Sequence, residues 1–547
     1  MKELQFFKKV FSYYFTLTFI ATSFLVVFCQ FEFEILFNFI ENCLFAILIL
    51  APSYFILNTR IRCFYDLLVF TGFSLTVLFE SIYYLLFQVF FSASSVFVMM
   101  DSNFDEANEF INFYLGFKEL FFIISFGALA LYFFIKLNGL KRELKLITFQ
   151  SGIVYGLSMF ALLAYLKISK QIIYNFPYLF TKSCVEYYQT SRSFDDYSTN
   201  IVGNFSNVNT KNENENSVFV LILGESTTRS HMQLYGYGRS TNPLLSDMSN
   251  ELLVYNDVIS PHVLTIESIT KMLTLSNYES EYKQTSGSIL QLANAAGYGT
   301  FWLSNQRPIG IFESLITKIA LSAKQTKFLS TAHGQHNRTL DQVLLPELNE
   351  VLKIETAYPK FIVLHLMGTH FKYVNRFPDS LNTAFKTSST NDDLNKRQII
   401  KDQYDRAVLN NDYVISEVIN SVKKYAKHSA VLYVSDHGEE LDNLERWGHN
   451  EDFATKSMYD IPLFLWRSLE YKKSNPLFFD ANRPYMTDDL FHSLAELLKI
   501  NANQVDSTRS IFSKHFQMRK RVILQTQDYD VKFKKQNSEI SLKDETP

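Results

Sequence analysis

Residues 9–28, KVFSYYFTLTFIATSFLVVF, form an almost unbroken apolar run. Wound as an α-helix, such a run covers the ~30 Å hydrocarbon layer of a bilayer. Four more follow near residues 35–57, 64–91, 119–134 and 147–166. The first lacks a small-residue cleavage site and is longer than the apolar part of a secretory signal, so it is read as a retained helix. A chain with five such runs must fold in two solvents. Its mean hydropathy of -0.01 therefore averages an apolar anchor and a polar remainder. The excess of Phe, 52 residues against 3 Trp, has the same source, because Phe is well tolerated by lipid.

Basic residues set the orientation. Lys2, Lys8 and Lys9 precede the first run, Arg60 and Arg62 separate the second from the third, and Lys136, Lys141, Arg142 and Lys145 separate the fourth from the fifth. These connections belong in the cytoplasm. The alternate connections, 30–34 and 92–117, have no Lys or Arg, and the second carries Asp101, Asp105, Glu106 and Glu109. Five spans then leave everything after about Lys167 outside the cytoplasm. Glu41 and Glu80 fall within or close to the spans and are expected to face the helix bundle or its interface, where a carboxylate finds partners.

Residues 191–217 turn to Ser, Asn, Asp and Glu and end in NVNTKNENENS, the composition of a linker. The organisation expected is a transmembrane domain at 1–168, a connecting helix or linker at 169–216, and an exported domain at 217–547. Of the four cysteines, Cys29, Cys43, Cys63 and Cys184, none lies in that last segment, so no disulfide can form within it. A net charge of -3 without a basic patch gives no basis for nucleic-acid binding.

The exported segment alternates short apolar runs with helix-like stretches such as 405–425. The runs are VFVLIL (218–223), TFWLSN (300–305), FIVLHL (361–366) and AVLYVS (430–435). That alternation predicts an α/β domain whose mostly parallel sheet is covered on both faces, with active groups at the carboxyl ends of the strands. Polar motifs follow three of the runs: GEST, MGTH and DHGEE. If those strands are neighbours, Glu225, His370, Asp436 and His437 converge on one edge, and His449 in RWGHNE can return to it. Carboxylates and imidazoles gathered this way suit a divalent metal such as zinc and the transfer of a phosphoryl or sulfuryl group. Ser226, Thr227, Thr228, Thr265, Ser268 and Thr270 are all candidate nucleophiles, and spacing alone does not choose between them.

GESTTRSHMQLYGYGRSTNP (224–243), SPHVLTIES (260–268), HLMGTHFKYVNRFP (365–378), QYDRAVLNNDYVISEVI (403–419) and SDHGEE (435–440) together resemble the phosphoethanolamine transferases. These are bacterial inner-membrane enzymes of the alkaline phosphatase and sulfatase superfamily, with five transmembrane helices ahead of a periplasmic sulfatase-like domain. The GEST and LYGYGRSTNP wording is closer to the branch that modifies the lipopolysaccharide core than to the disulfide-rich lipid A branch. The resemblance implies that Thr265 is the nucleophile, that Glu225, Asp436 and His437 bind one Zn2+ beside it, and that His370 and His449 serve the phosphoryl group or a second zinc. It implies zinc in preference to manganese. It also places Glu106 and Ser102 near the ethanolamine of the substrate, although Val98 stands where the family usually has Asn. Arg376 and Lys372, close to His370 in sequence, are expected to meet anionic phosphate or sugar groups. The donor implied is phosphatidylethanolamine. The acceptor implied is lipopolysaccharide or another periplasmic glycan or lipid.

Three other readings compete with this one. A glycerophosphotransferase of the lipoteichoic acid synthase type shares the architecture, but LYGYGRSTNP and the His370 and His449 pair speak against it. A membrane-anchored sulfatase or phosphodiesterase has no need of five helices. An inactive membrane assembly protein has no need of a complete ligand set.

Overall fold

The computed structural model describes residues 2–29, 31–87, 90–91, 96, 115–140, 149–169, 171–192, 197, 199–211, 216–280, 287–306, 315–329, 339–385, 392–443, 446–451 and 454–533. The chain divides into two compact units, Met1–Tyr188 and Gln189–Pro547.

In the first unit the apolar runs wind into α1 (Lys2–Phe28), α2 (Phe33–Leu50), α3 (Thr59–Phe87), α4 (Phe117–Asn138) and α5 (Phe149–Ile168). Helices α1 to α4 are long and apolar enough to cross a membrane, and α5 adds a shorter described apolar stretch, Gly156–Ile168. The chain is a multi-pass membrane protein. Helix α2 stops at Leu50 rather than at residue 57, because Pro52 opens a 3-10 turn over Ala51–Phe55. A further helix, α6 (Phe176–Arg192), follows the last apolar run. Tyr14, Phe70, Phe73 and Phe122 meet in the bundle interior.

Glu41 and Glu80 are both buried in the unit. Glu80 accepts from the side-chain amides of Asn38 (3.0 Å) and Asn42 (2.9 Å) and from the backbone N–H of Phe176 (3.2 Å). Glu41 accepts from Asn175 Nδ2 (2.9 Å). A carboxylate is tolerated at such depth because amide donors replace the water it gave up.

The second unit is built on a seven-stranded sheet. Its strands are β1 (Val218–Gly224), β2 (Leu252–Tyr255), β3 (Gly299–Ser304), β4 (Gln325–Phe328), β5 (Lys360–His365), β6 (Ser429–Ser435) and β7 (Leu463–Arg467). They lie in the order β2-β7-β6-β1-β5-β3-β4, and β7 alone runs against the rest. Every residue of β1, β5 and β6 is buried, which is why those strands read as continuous apolar runs instead of alternating ones. Phe219, Leu221 and Leu223 of β1 share one core with Phe361 and Val363 of β5 and Leu432 and Val434 of β6. Helix α7 (Thr265–Leu273) seals that core with Ile269, Met272 and Leu273, spaced for a single helical face. Helix α8 (Asp392–Tyr425) packs against β6. It buries Val408, Ile415, Val418 and Val422 and starts well ahead of residue 405. Among the described residues no disulfide is formed.

Candidate metal centre and active site

Register brings the three motif-bearing strands to a common edge. Leu223 pairs with His365 and Gly224 with Ser435, so GEST, MGTH and DHGEE all begin side by side. The ladder continues past the strands through Leu366 N–H to the Leu223 carbonyl (3.0 Å) and Asp436 N–H to the Gly224 carbonyl (3.1 Å). Ser226 then takes the left-handed region at φ 54°, a strained choice for a residue with a Cβ. That turn lets its backbone N–H donate to Asp436 Oδ1 (3.0 Å) and its hydroxyl donate to Glu225 Oε1 (2.9 Å).

Glu225, Asp436 and His437 each present a donor atom, and the three lie within 4.8 Å of one another. His437 Nε2 is 3.4 Å from Glu225 Oε1 and 3.5 Å from Asp436 Oδ2. Its other nitrogen, Nδ1, donates to the Gly438 carbonyl (2.8 Å), which leaves the Nε2 lone pair facing the carboxylates. Asp436 Oδ1 is engaged by two backbone N–H groups, of Ser226 and His437, whereas Oδ2 is buried without a hydrogen-bond partner. An orphaned carboxylate oxygen beside a bare imidazole nitrogen fits a metal ion, since a buried acceptor left unpaired is costly.

Charge in the cluster is poorly balanced by its own groups. Burial and the neighbouring Glu225 charge push the Asp436 carboxyl well above its usual range. Burial would raise Glu225 too, but His437 holds it well below. Burial alone would lower His437; the charges of Asp436 and Glu225 outweigh it and push the imidazole up to about 10. A divalent cation would supply the counter-charge this set calls for and would fix both acids as carboxylates.

Thr265 is the first residue of α7. Its Oγ1 lies 3.2 and 3.4 Å from the two Glu225 oxygens and 3.3 Å from His437 Nε2, so it shares the donor atoms' focus. The Ser268 hydroxyl, one turn on, donates to the Asp436 carbonyl (2.5 Å) and fastens the helix to the metal loop. The positive end of a helix therefore meets the hydroxyl, which favours negative charge there. Of the other candidate nucleophiles, Thr227 and Thr228 are fully buried, and Thr227 is bonded to Thr369 (3.1 Å).

His449 returns to this edge because Glu440 and Gly448 exchange backbone hydrogen bonds of 2.8 and 3.0 Å. Its ring centroid is 4.3 Å from that of His437. Glu439 accepts from His449 Nδ1 (2.7 Å) and from the Tyr373 hydroxyl (2.6 Å), and with His437 and His449 it forms a second set of metal-competent atoms. His370 sits past β5 with Nδ1 buried and without a partner, and burial pushes its ring down to about 4. Arg376 donates to the carbonyls of His370 (3.1 Å) and Phe371 (3.0 Å) and so holds the His370 loop. Ser102, Glu106 and Val98 lie outside the described residues.

Three contributors escaped the sequence reading. Gln306 donates to Glu225 Oε2 (3.1 Å) and to the Leu366 carbonyl (2.8 Å). Its position two residues past β3 was a signal, but an amide is not a usual zinc ligand. Glu439 stood in DHGEE with nothing to mark it as the partner of His449. Asp341, distant in sequence, accepts from the backbone N–H groups of Met367 (2.8 Å) and Gly368 (2.9 Å) and shapes the MGTH turn.

Gly368 in that turn has φ 54°, and a Cβ there would stand 2.8 Å from both N and O of Glu225. Gly368→Ala should destabilise the second unit by about 2–4 kcal/mol, the sum of left-handed strain and overpacking. Denaturant melts of the purified chain check this; unchanged stability would mean that the two loops have room to separate.

A β-sheet core with carboxylates and imidazoles gathered at its strand ends beside a helix-borne hydroxyl is the arrangement expected of a hydrolase or transferase with a candidate metal centre. The sulfatase family matches residues 217–500, and the chain belongs to that family. Its relatives include phosphoethanolamine transferases. The chain is 29% identical over 448 residues to phosphoethanolamine transferase EptC of Escherichia coli, covering 77% of each. The zinc complex of the C-terminal periplasmic domain of that organism's EptC matches at 31% identity and a TM-score of 0.55, over 59% of this chain and 93% of that one. The integral membrane protein lipooligosaccharide phosphoethanolamine transferase A (EptA) of Neisseria meningitidis shares the fold along 92% of this chain and 97% of its own, with a TM-score of 0.69 and 18% identity.

Proposed function

We propose that the chain transfers phosphoethanolamine from phosphatidylethanolamine to a lipopolysaccharide core or another periplasmic glycan or lipid acceptor. In this reading residues 1–168 anchor it in the bacterial inner membrane, 169–216 connect, and 217–547 act in the periplasm. The observation that carries the proposal is Thr265 Oγ1, at the head of α7 and within 3.4 Å of Glu225 and His437. The names of the relatives supply the group transferred.

Glu225, Asp436 and His437, with Thr265 beside them, would hold one Zn2+, and Glu439 and His449, which lie beside the same His437, are the residues a second ion would use. When bound, zinc polarises phosphoryl oxygens and lowers the pKa of a neighbouring hydroxyl. Thr265 Oγ1 forms a bond to phosphorus as the bond from phosphorus to the diacylglycerol oxygen breaks, and the hydroxyl proton ends on departing diacylglycerol. In the second half the acceptor oxygen displaces Thr265, and its proton passes by way of His449 or His370 to the threonine oxygen. Glu439 fixes the His449 ring so that Nε2 is the nitrogen available for that proton. Arg376 adds positive charge beside His370, and Glu106 and Ser102 are proposed to meet the ethanolamine ammonium.

Glu439→Gln should lower transfer roughly 10- to 100-fold by removing the charge that orients His449. Initial rates with lipid vesicles and a glycolipid acceptor read this; full activity would take His449 out of the proton path. The reaction itself is tested by mass spectra of acceptor glycolipid from a deletion strain and its parent. Phosphoethanolamine missing from the deletion strain supports the proposal. A missing glycerol phosphate, or release of free phosphoethanolamine with no modified acceptor, would replace it with the synthase or hydrolase reading.

A further inference from the structure

His262 of SPHVLTIES and Glu451 of RWGHNE belong to neither metal-competent set, yet they join the two segments that carry the reacting groups. His262 stands three residues before Thr265, and Glu451 two residues after His449. Glu451 Oε1 accepts from His262 Nδ1 at 2.6 Å, with each side chain only 15% exposed. A hydrogen bond to a carboxylate that water scarcely reaches is stronger than its counterpart on an open surface. The same two segments also meet through apolar side chains, since Val263 and Leu264 share a cluster with Ala454, Met458 and Tyr459. Apolar contact has no direction, so it holds the segments together without fixing how they slide. The hydrogen bond supplies the direction.

The two ends of this link are held unequally. Thr265 heads α7, whose Ile269, Met272 and Leu273 lie in the core and whose Ser268 is bonded to the Asp436 carbonyl. His449 lies in a loop, which Gly448 ties to Glu440 on one side and Glu451 ties to His262 on the other. We propose that His262 and Glu451 are positioning residues: their bond latches the His449 loop to the segment that carries Thr265, so that imidazole and hydroxyl keep one spacing. The inference rests on the transfer reading, in which the acceptor's proton reaches the threonine oxygen by way of a histidine, and it selects His449 for that step. A misplacement of about 1 Å costs up to ~100-fold in rate, so this bond has leverage on the chemistry without touching substrate.

The test follows the two halves of the reaction separately, on the full zinc-loaded chain with phosphatidylethanolamine vesicles. Peptide mass spectrometry reads the Thr265 adduct as it forms, and then as it disappears on addition of lipopolysaccharide purified from the deletion strain. Glu451→Ala and His262→Phe, the second of which keeps the bulk of the ring, should form the adduct at close to the wild-type rate and resolve it roughly 10- to 100-fold more slowly. The double variant should be no slower than the slower single one, because both changes remove the same bond. Glu451→Gln, which keeps an acceptor for His262, should recover most of the loss. Slowing of both halves together, unchanged resolution, or losses that multiply in the double variant would overturn the latch. A wild-type chain that forms no adduct, or one that lipopolysaccharide does not remove, would instead count against the transfer reading, and the latch would fall with it.

Discussion

Thr265→Ala should lower phosphoethanolamine transfer by ~10⁴-fold or more, the scale seen when a covalent catalyst loses its nucleophile while its binding groups remain. The variant removes a half-buried hydroxyl at the first position of α7. The fold should hold, because α7 is fixed by Ile269, Met272 and Leu273 in the core and by the Ser268 bond to the Asp436 carbonyl, none of which involves Thr265. Glu225, Asp436 and His437 remain, so most zinc binding should persist. Melting curves, metal content and transfer rates on the same preparation separate these effects. Wild-type rates would remove Thr265 as nucleophile; loss of fold along with rate would make it structural.

Removing a proposed ligand should give the opposite pattern. Asp436→Asn keeps an oxygen for the backbone N–H groups of Ser226 and His437 but loses the charge on the orphaned side of the carboxyl. Glu225→Gln keeps an acceptor for the Ser226 and Thr265 hydroxyls. Each should reduce zinc affinity by more than ~100-fold, beyond the usual effect of changing an outer hydrogen-bond partner, with transfer falling in step. Elemental analysis after dialysis against graded chelator measures this. Zinc retained at wild-type affinity in both variants would place the metal elsewhere, for example at His437, Glu439 and His449.

The sequence showed those parts of the site whose signal is local. A buried parallel strand needs a continuous apolar run, and a polar motif directly after it must emerge at the sheet edge, which is how Glu225, His370, Asp436 and His437 were legible. His449 needed the Glu440 to Gly448 pairing to return, and its spacing from His437 only allowed that possibility. Strand β7 was missed because LFLWR is short and no motif follows it, and edge strand β4 was missed because QTKF is polar. Asp341, Gln306 and Glu439 act through hydrogen bonds to loops far away in sequence, a relation no periodicity encodes. Among the membrane helices, the places of the apolar runs were readable, but the amides that make Glu41 and Glu80 tolerable come from two separate elements.

Intact-protein and peptide mass spectrometry on the zinc-loaded chain, incubated with phosphatidylethanolamine vesicles and no acceptor, tests the central claim most directly. One phosphoethanolamine group should accumulate on the peptide that contains Thr265 and disappear when acceptor glycolipid is added. A glycerol phosphate adduct, an adduct on another residue, or transfer that proceeds with Thr265 unmodified at every time point would contradict it.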